Sequence, residues 1–253
     1  MASCKFSCRE PVYPDWQDAV ALLPEAGISG LEVNVRPADA LAEVVAGIRA
    51  GGLEPMTLAG GVKLDDQASV AAYLAAIDAA GGQGIPIFFT SAHGGEDDRD
   101  FAMGKLRELA EVAAERGVTI ALETHPPFCL NAISMLATIQ AVDHPNLAVN
   151  LDTANIYYYN EGLNSADELE RVVEHVVSLH LKDTDGGFKS VNFPVLGEGV
   201  VDFERIFAIL DGAGFDGPLT LELEGPLTSG KPVAERHAAV LASMAYLRSI
   251  GVA

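Results

Sequence analysis

The chain has 253 residues, with 16 Lys and Arg against 36 Asp and Glu, for a formal net charge of −20. A surface this acidic repels nucleic-acid phosphates and anionic membranes, and no cluster of Lys and Arg offsets it, which argues against nucleic acid as a partner. The three cysteines, Cys4, Cys8 and Cys129, are too few for a disulfide framework and read as buried or rim thiols. No basic start leads into an apolar run at the N-terminus, and no window approaches about 18 uninterrupted apolar residues, so the expectation is a cytoplasmic protein with no membrane span.

Along the chain, periodicity and breakers give eight strand–helix units. The first strand covers Lys5 to Cys8, with a helix from the N-cap Asp15 to Glu25. A second strand, Gly30 to Val35, precedes a helix from Ala38 to Ala50 that stops at Gly51-Gly52. The third strand is Leu53 to Leu58; Gly60-Gly61 loosen the rim beyond it, and a helix follows from Asp66 to Ala80. Strand four runs from Ile85 to Ser91 and leads through His93-Gly94-Gly95 to a helix from Asp98 to Arg116. The fifth strand ends at Glu123, before a helix from Asn131 to Val142. Strand six ends at Asp152, and its helix covers Ala166 to His175. Strand seven carries His180; a long loop from Asp183 to Gly199 separates it from the helix Asp202 to Gly212. The eighth strand carries Glu222, and a last helix runs from Val233 to Ser249.

Strict alternation of strand and helix, at about 30 residues per unit, predicts a parallel sheet closed into a single-domain α/β (β/α)8 TIM barrel. The rival, an open doubly wound sheet, lacks a phosphate-binding G-x-G-x-x-G after the first strand. Parity then selects a site. Side chains alternate across a strand. Ala121, Glu123 and His125 therefore oppose Ile120 and Leu122, while Asn150 and Asp152 oppose Val149 and Leu151. Ser178, His180 and Lys182 oppose Leu179 and Leu181, and Thr220, Glu222 and Glu224 oppose Leu219, Leu221 and Leu223. In a barrel the apolar faces meet the helices, and the polar faces share one axis and one rim.

Four residues at equivalent places on four strands, Glu123, Asp152, His180 and Glu222, make a mixed oxygen and nitrogen donor set suited to one Mn²⁺, Mg²⁺, Co²⁺ or Zn²⁺ ion. Glu224 shares the parity of Glu222 and competes with it, but Glu222 lies less far out. Candidate substrate contacts are His93 beside its two glycines, which reads equally as a solvent-exposed loop histidine, Lys182 beside the metal ligands, and Glu32, which shares a face with Asn34 and reads either as a rim contact to substrate or as a salt-bridge partner behind the ligands. Lys182 is placed to hold an oxyanion or to pair with Glu198 or Asp183. His125 has the right parity for the pocket but precedes Pro126-Pro127. Tyr157, Tyr158 and Tyr159 read as sugar-stacking or as loop packing. His144, His175 and His237 sit on helices or their ends and are expected at the surface.

The residues Glu123 after Ala121-Leu122, Asp152 in LDTAN, the His180-Leu181-Lys182-Asp183 run, Leu196-Gly197-Glu198-Gly199 followed by Asp202-Phe203, and Gly217 to Glu222 carry a resemblance. The sequence resembles the sugar phosphate isomerase/epimerase family, the xylose isomerase-like barrels that include ketose 3-epimerases. Matching positions run from the second strand to the last helix and are densest after residue 118. The resemblance implies that Glu123, Asp152, His180 and Glu222 bind one divalent metal, and that Glu123 and Glu222 act as an acid/base pair. It also implies self-association into dimers or tetramers, and a small carbohydrate as the partner. Many members carry a histidine three residues after the strand-six aspartate, where it helps hold substrate. This chain has Asn155, which hydrogen-bonds but takes up no proton.

Such a site acidifies a C–H beside a carbonyl, and two opposed carboxylates remove and return the proton. The outcome is epimerisation, aldose–ketose isomerisation or, if a β-leaving group departs, elimination. A metal-dependent lyase or dehydratase acting on a keto-sugar or oxidised glycoside is therefore the main alternative. A DNA-repair endonuclease on the same barrel would need more histidines and a basic groove. A binding barrel without catalysis would not need two opposed bases. The loops lack a basic cluster for phosphate, which favours an unphosphorylated substrate.

Overall fold

The computed structural model describes residues 5–253, so Cys4 lies outside the described residues. Eight strands, β1 (Lys5–Arg9), β2 (Gly30–Asn34), β3 (Glu54–Lys63), β4 (Ile87–His93), β5 (Thr119–Glu123), β6 (Leu147–Asp152), β7 (Val176–Leu181) and β8 (Pro218–Leu221), pair parallel in chain order, and β1 also pairs with β8. The result is a closed, single-domain (β/α)8 TIM barrel, as the alternation predicts. The helices are α1 (Trp16–Leu22), α2 (Ala38–Ala50), α3 (Gln67–Gln83), α4 (Arg99–Glu115), α5 (Ala132–Val142), α6 (Asn155–Tyr159), α7 (Ser165–Val172), α8 (Phe203–Gly212) and α9 (Val233–Ser249). Among the described residues no helix is long and apolar enough to cross a membrane.

Helix starts follow side-chain caps that satisfy otherwise unpaired N–H groups. Asp98 accepts from Phe101 N at 3.0 Å, and Asp202 accepts from Arg205 N at 3.0 Å. Asn131 and Ser134 form a reciprocal capping box at the start of α5. The outward strand residues, such as Leu31, Leu58, Phe88, Ile120, Val149 and Leu179, are fully buried beneath the helices.

The barrel axis is filled differently. Its side chains are small and polar, and they pair across strands. Ser7 Oγ lies 2.5 Å from Thr220 Oγ1, and Ser178 Oγ donates to Asn150 Oδ1 at 2.6 Å. A buried hydroxyl without a partner costs about 1–3 kcal/mol, so each pair makes the polar interior tolerable. Strand register then stacks larger polar groups above them. Arg9 stands opposite Glu32, Glu123 opposite Asn150, and Asp152 opposite His180. The last pairing depends on a register shift between Val149 and Asn150, which brings both side chains to the axis.

Three expectations need correction. β3 does not stop before Gly60-Gly61 but runs through them to Lys63, because β4 pairs with every one of these residues. The tyrosines after β6 are not loop: they lie in the short helix α6. His237 is buried, not at the surface, because α9 packs over the chain's first turns. Its Nδ1 is 2.7 Å from Tyr13 Oη and its Nε2 is 2.5 Å from Glu25 Oε1. Cys8 and Cys129 are buried free thiols, and burial pushes the Cys129 thiol up to about 12.

Candidate active site

A cavity of about 510 Å³ opens at the C-terminal ends of the strands. Its floor is the predicted quartet. Glu123 ends β5, Asp152 ends β6, His180 lies one residue before the end of β7, and Glu222 follows β8 directly. One ligand atom from each lies within 4.8 Å of the others, and all four residues are buried. A larger recess of about 1340 Å³ lies at the opposite end of the barrel, lined by Lys5, Glu54, Met56 and Phe215 among others. It gathers no comparable cluster of ligand atoms among the described residues.

Each member of the quartet is held in place. Asp152 Oδ1 accepts from the backbone N–H groups of Ala154 and Asn155 at 2.8 and 2.9 Å. Ala154 is the residue before α6 and Asn155 its first, so the turn into the helix fixes the carboxylate. Glu123 Oε2 accepts from Ser91 Oγ at 2.5 Å and lies 2.7 Å from His125 Nδ1, while Asn155 Nδ2 donates to its Oε1 at 3.3 Å. His180 lies between two carboxylates, with Nε2 3.1 Å from Glu32 Oε2 and Nδ1 2.9 Å from Glu222 Oε2. Arg9 donates to Glu222 and places its Nε 2.9 Å from Glu32 Oε1.

Lys182 sits in the middle of this charge. Its Nζ is 2.8 Å from Asp152 Oδ2, 3.2 Å from Glu222 Oε2 and 3.0 Å from Glu224 Oε1. The electrostatic consequences are large. Burial would raise Glu222, but Lys182, Arg9 and His180 overcome it and hold its carboxyl well below the usual range. Burial would lower His180, but Glu32 and Glu222 push it up to about 10. Asp152 is raised to about 7 by its burial, with Lys182 opposing and the Glu222 and Glu123 charges adding to the rise. For His125, burial is outweighed by the hydrogen bond and charge of Glu123, and its pKa rises.

Two atoms of the quartet, Asp152 Oδ2 and His180 Nδ1, are buried and make no aligned hydrogen bond. Both have charged neighbours within 3 Å, His180 Nδ1 beside Glu222 and Asp152 Oδ2 beside Lys182. Three carboxylates and an imidazole with two such atoms fit a divalent cation.

The secondary candidates divide. Asn155, Lys182 and His125 line the cavity, as do Tyr158 and Tyr159. Glu32 does not reach the rim: it is 1% exposed and lies behind His180, where it also accepts from Thr57 Oγ1 at 2.8 Å. His93 ends β4 exposed and outside the lining. Glu198 is exposed and also outside it, and Lys182 pairs with neither Glu198 nor Asp183. Asp183 instead accepts four backbone N–H groups, from Thr184, Gly197, Gly199 and Val201, at 2.8–3.1 Å. The L-G-E-G run is therefore an anchor for the loop, whose Val191 and Phe193 form a cavity wall. Glu224 lies at the mouth, half-exposed, and does not join the quartet. Sequence reasoning missed Arg9 and Ser91. Arg9 shares the inward parity of Ser7 on a four-rung strand pairing, and that parity was the available signal.

The family model for xylose isomerase-like TIM barrels matches residues 19–250. L-ribulose-5-phosphate 3-epimerase UlaE of Escherichia coli is 34% identical over 154 residues, which cover 60% of this chain and 51% of that protein. The match thus spans about half the length of the curated relatives. Among solved structures, D-psicose 3-epimerase from Clostridium cellulolyticum superposes with a TM-score of 0.80 at 17% identity, covering 97% of this chain and 99% of that one. The probable 3-DHS dehydratase AsbF from Bacillus anthracis gives 0.78 at 19%, covering 96% and 98%. At such identities the superpositions speak for the fold alone. With the family match extending over nearly all eight units, the chain belongs to the xylose isomerase-like TIM barrel family.

Proposed function

We propose that this chain is a divalent-metal-dependent epimerase or isomerase of a keto-sugar, with Glu123 and Glu222 as its acid/base pair. The observation that carries the reading is the convergence of Glu123, Asp152, His180 and Glu222 within 4.8 Å at the floor of a polar cavity. Those four residues would hold the ion, with Mn²⁺, Mg²⁺, Co²⁺ and Zn²⁺ all compatible with the donor set. When bound, the ion supplies a Lewis acid that polarises a carbonyl and makes the adjacent C–H more acidic.

The chain's own groups perform the proton transfers. Glu222, kept ionised by Lys182, Arg9 and His180, takes a proton from the carbon beside the carbonyl on one face, and Glu123 delivers one on the other. Ser91, His125 and Asn155 restrain Glu123 through both oxygens, while Arg9 and Lys182 restrain Glu222. Orientation matters here because a misplaced base loses most of its rate advantage. Phe89, Tyr158, Tyr159 and Phe193 offer ring faces to the C–H surface of a sugar and limit water. Return of the proton to the same carbon inverts it; return to the neighbouring carbon interconverts aldose and ketose. The curated relatives, named as 3-epimerases of a keto-pentose phosphate, support the first outcome.

The test is proton exchange in D₂O, followed by NMR, with Mn²⁺-loaded protein and a panel of ketoses, aldoses and 3-keto-sugars, with and without EDTA. EDTA-sensitive deuterium uptake beside the carbonyl, with a new epimer or isomer, is the expected result. Release of a leaving group from the same substrates would replace the epimerase with a lyase. No exchange in protein shown to hold its metal would overturn the reading.

A further inference from the structure

The charge of the substrate can be read from the cavity. Of the lining residues only Arg9 and Lys182 carry a permanent positive charge, and both are already engaged. Arg9 is divided between Glu222 and Glu32, and its guanidinium lies 5.4 Å from the ring centre of Phe89. Lys182 is divided among Asp152, Glu222 and Glu224, with Phe193 at 4.9 Å. Five carboxylates, Glu32, Glu123, Asp152, Glu222 and Glu224, surround these two cations. With all five ionised and His180 protonated, two negative charges remain in excess; with a divalent ion bound and His180 neutral, one remains. A phosphate dianion entering this cavity meets no net positive potential.

The mouth adds to the bias. Glu224 has a side chain 44% exposed, against 4% for Glu222 and 5% for Glu123, so it is the most exposed carboxylate of the cavity lining. Nearby rim cations are themselves paired, Arg36 with Glu10 and Lys63 with Asp65. Lys189 lies outside the lining, with its ammonium over Phe188. The other polar side chains of the lining include the uncharged Asn34, Ser91 and Asn155, the last two already donating to Glu123, and the aromatic walls add C–H faces.

We infer that the cavity takes a neutral, unphosphorylated ketose, and that Glu224 is the specificity-determining residue that turns phosphorylated ketoses away. The inference rests on the function proposed above and narrows its substrate. It also departs from the phosphorylated sugar for which the curated relatives are named.

The test compares free 2-ketopentoses and 2-ketohexoses with 2-ketopentose 5-phosphates on the Mn²⁺-loaded full chain. Deuterium exchange gives kcat/KM, calorimetry gives binding, and inorganic phosphate serves as a competitor. The wild type is expected to favour the free sugars at least about tenfold, with no competition from phosphate. Glu224→Gln should shrink that preference about tenfold through improved use of the phosphorylated sugars, because it removes a like charge and one of the three carboxylate partners of Lys182. Glu224→Asp should retain it, which separates a charge effect from a packing one. Faster turnover of the phosphorylated sugars, or competition by phosphate, would overturn this inference and leave the epimerase reading standing. An unchanged preference in folded Glu224→Gln would overturn the role of Glu224. Exchange on neither class would overturn both readings.

Discussion

Glu32 Oε2 lies 3.1 Å from His180 Nε2, and both side chains are buried to within 1%. The carboxylate accepts the Nε2 proton and turns Nδ1 towards Asp152 and Glu222. A metal-binding imidazole backed by a carboxylate is held in one tautomer and made a better donor, and loss of such a backing group costs about 10–100-fold in affinity. Glu32→Gln should therefore weaken Mn²⁺ binding by about that factor, measured by calorimetry on protein with an unchanged circular dichroism spectrum. Equal affinity in variant and wild type would remove Glu32 from the metal centre.

Metal uptake should be strongly pH-dependent. His180 is raised from 6.5 to about 10, with burial opposing and the Glu32 and Glu222 charges prevailing. A folded-state value above the unfolded one means that this imidazolium stabilises the metal-free protein fully below about 6.5. That contribution is lost as pH rises towards about 10. A ligating nitrogen must first give up its proton, so binding near pH 8 should release about one proton, and affinity should tighten as pH rises. Titrations in buffers of different ionisation enthalpy count that proton directly. Proton uptake, or an affinity indifferent to pH, would contradict the assignment.

Lys182 is the resident cation of the metal-free site, 3% exposed among Asp152, Glu222 and Glu224. Removing one partner of a buried charge cluster costs about 3–5 kcal/mol. Lys182→Met should destabilise the metal-free protein by roughly that amount. The loaded protein should lose much less, because the ion compensates the same carboxylates. Thermal melts with EDTA and with Mn²⁺ would show the two curves moving apart. Equal losses in both states would mean that Lys182 supports the fold independently of the cluster.

The loop wall depends on Asp183. Its four accepted N–H groups gather residues 184, 197, 199 and 201 around one carboxylate. A Cβ at Gly199 would lie 2.2 Å from Asp183 Oδ1, so the glycine is what allows this approach. Asp183→Ala should lower stability by about 3 kcal/mol and raise KM more than it lowers kcat, because Val191 and Phe193 lose their backing. Denaturant melts and steady-state kinetics would check both halves.

Much of this centre is legible in the sequence because period-two alternation survives into the barrel. Parity placed Glu123, Asp152, His180 and Glu222 on one axis, and the structure gathers them. Height along that axis is not encoded by parity. Glu32 has the correct face, but its register opposite Arg9 seats it behind His180 rather than at the rim. His93 and Glu198 lie at or beyond strand ends, where neighbours rather than alternation set direction. The Gly60-Gly61 pair reads as a breaker, yet pairing with Thr90 and Ser91 keeps the backbone extended. Arg9 sits on a short strand whose partner, β8, comes from the far end of the chain, so no local pattern announces its contact with Glu222.

That contact joins residues 213 positions apart, the same separation as the Ser7–Thr220 pair below it. Contacts of such range carry the largest loop-closure cost in the barrel. A growing chain released only through β7 already contains Glu123, Asp152 and His180, but neither Glu222 nor the seam that brings Arg9 to it. Glu222, the second glutamate of the proposed acid/base pair, thus arrives with the last strand. On the proposed function, an unfinished polypeptide would hold three of the four metal-binding side chains but not the acid/base pair, and activity would report that the ring is complete.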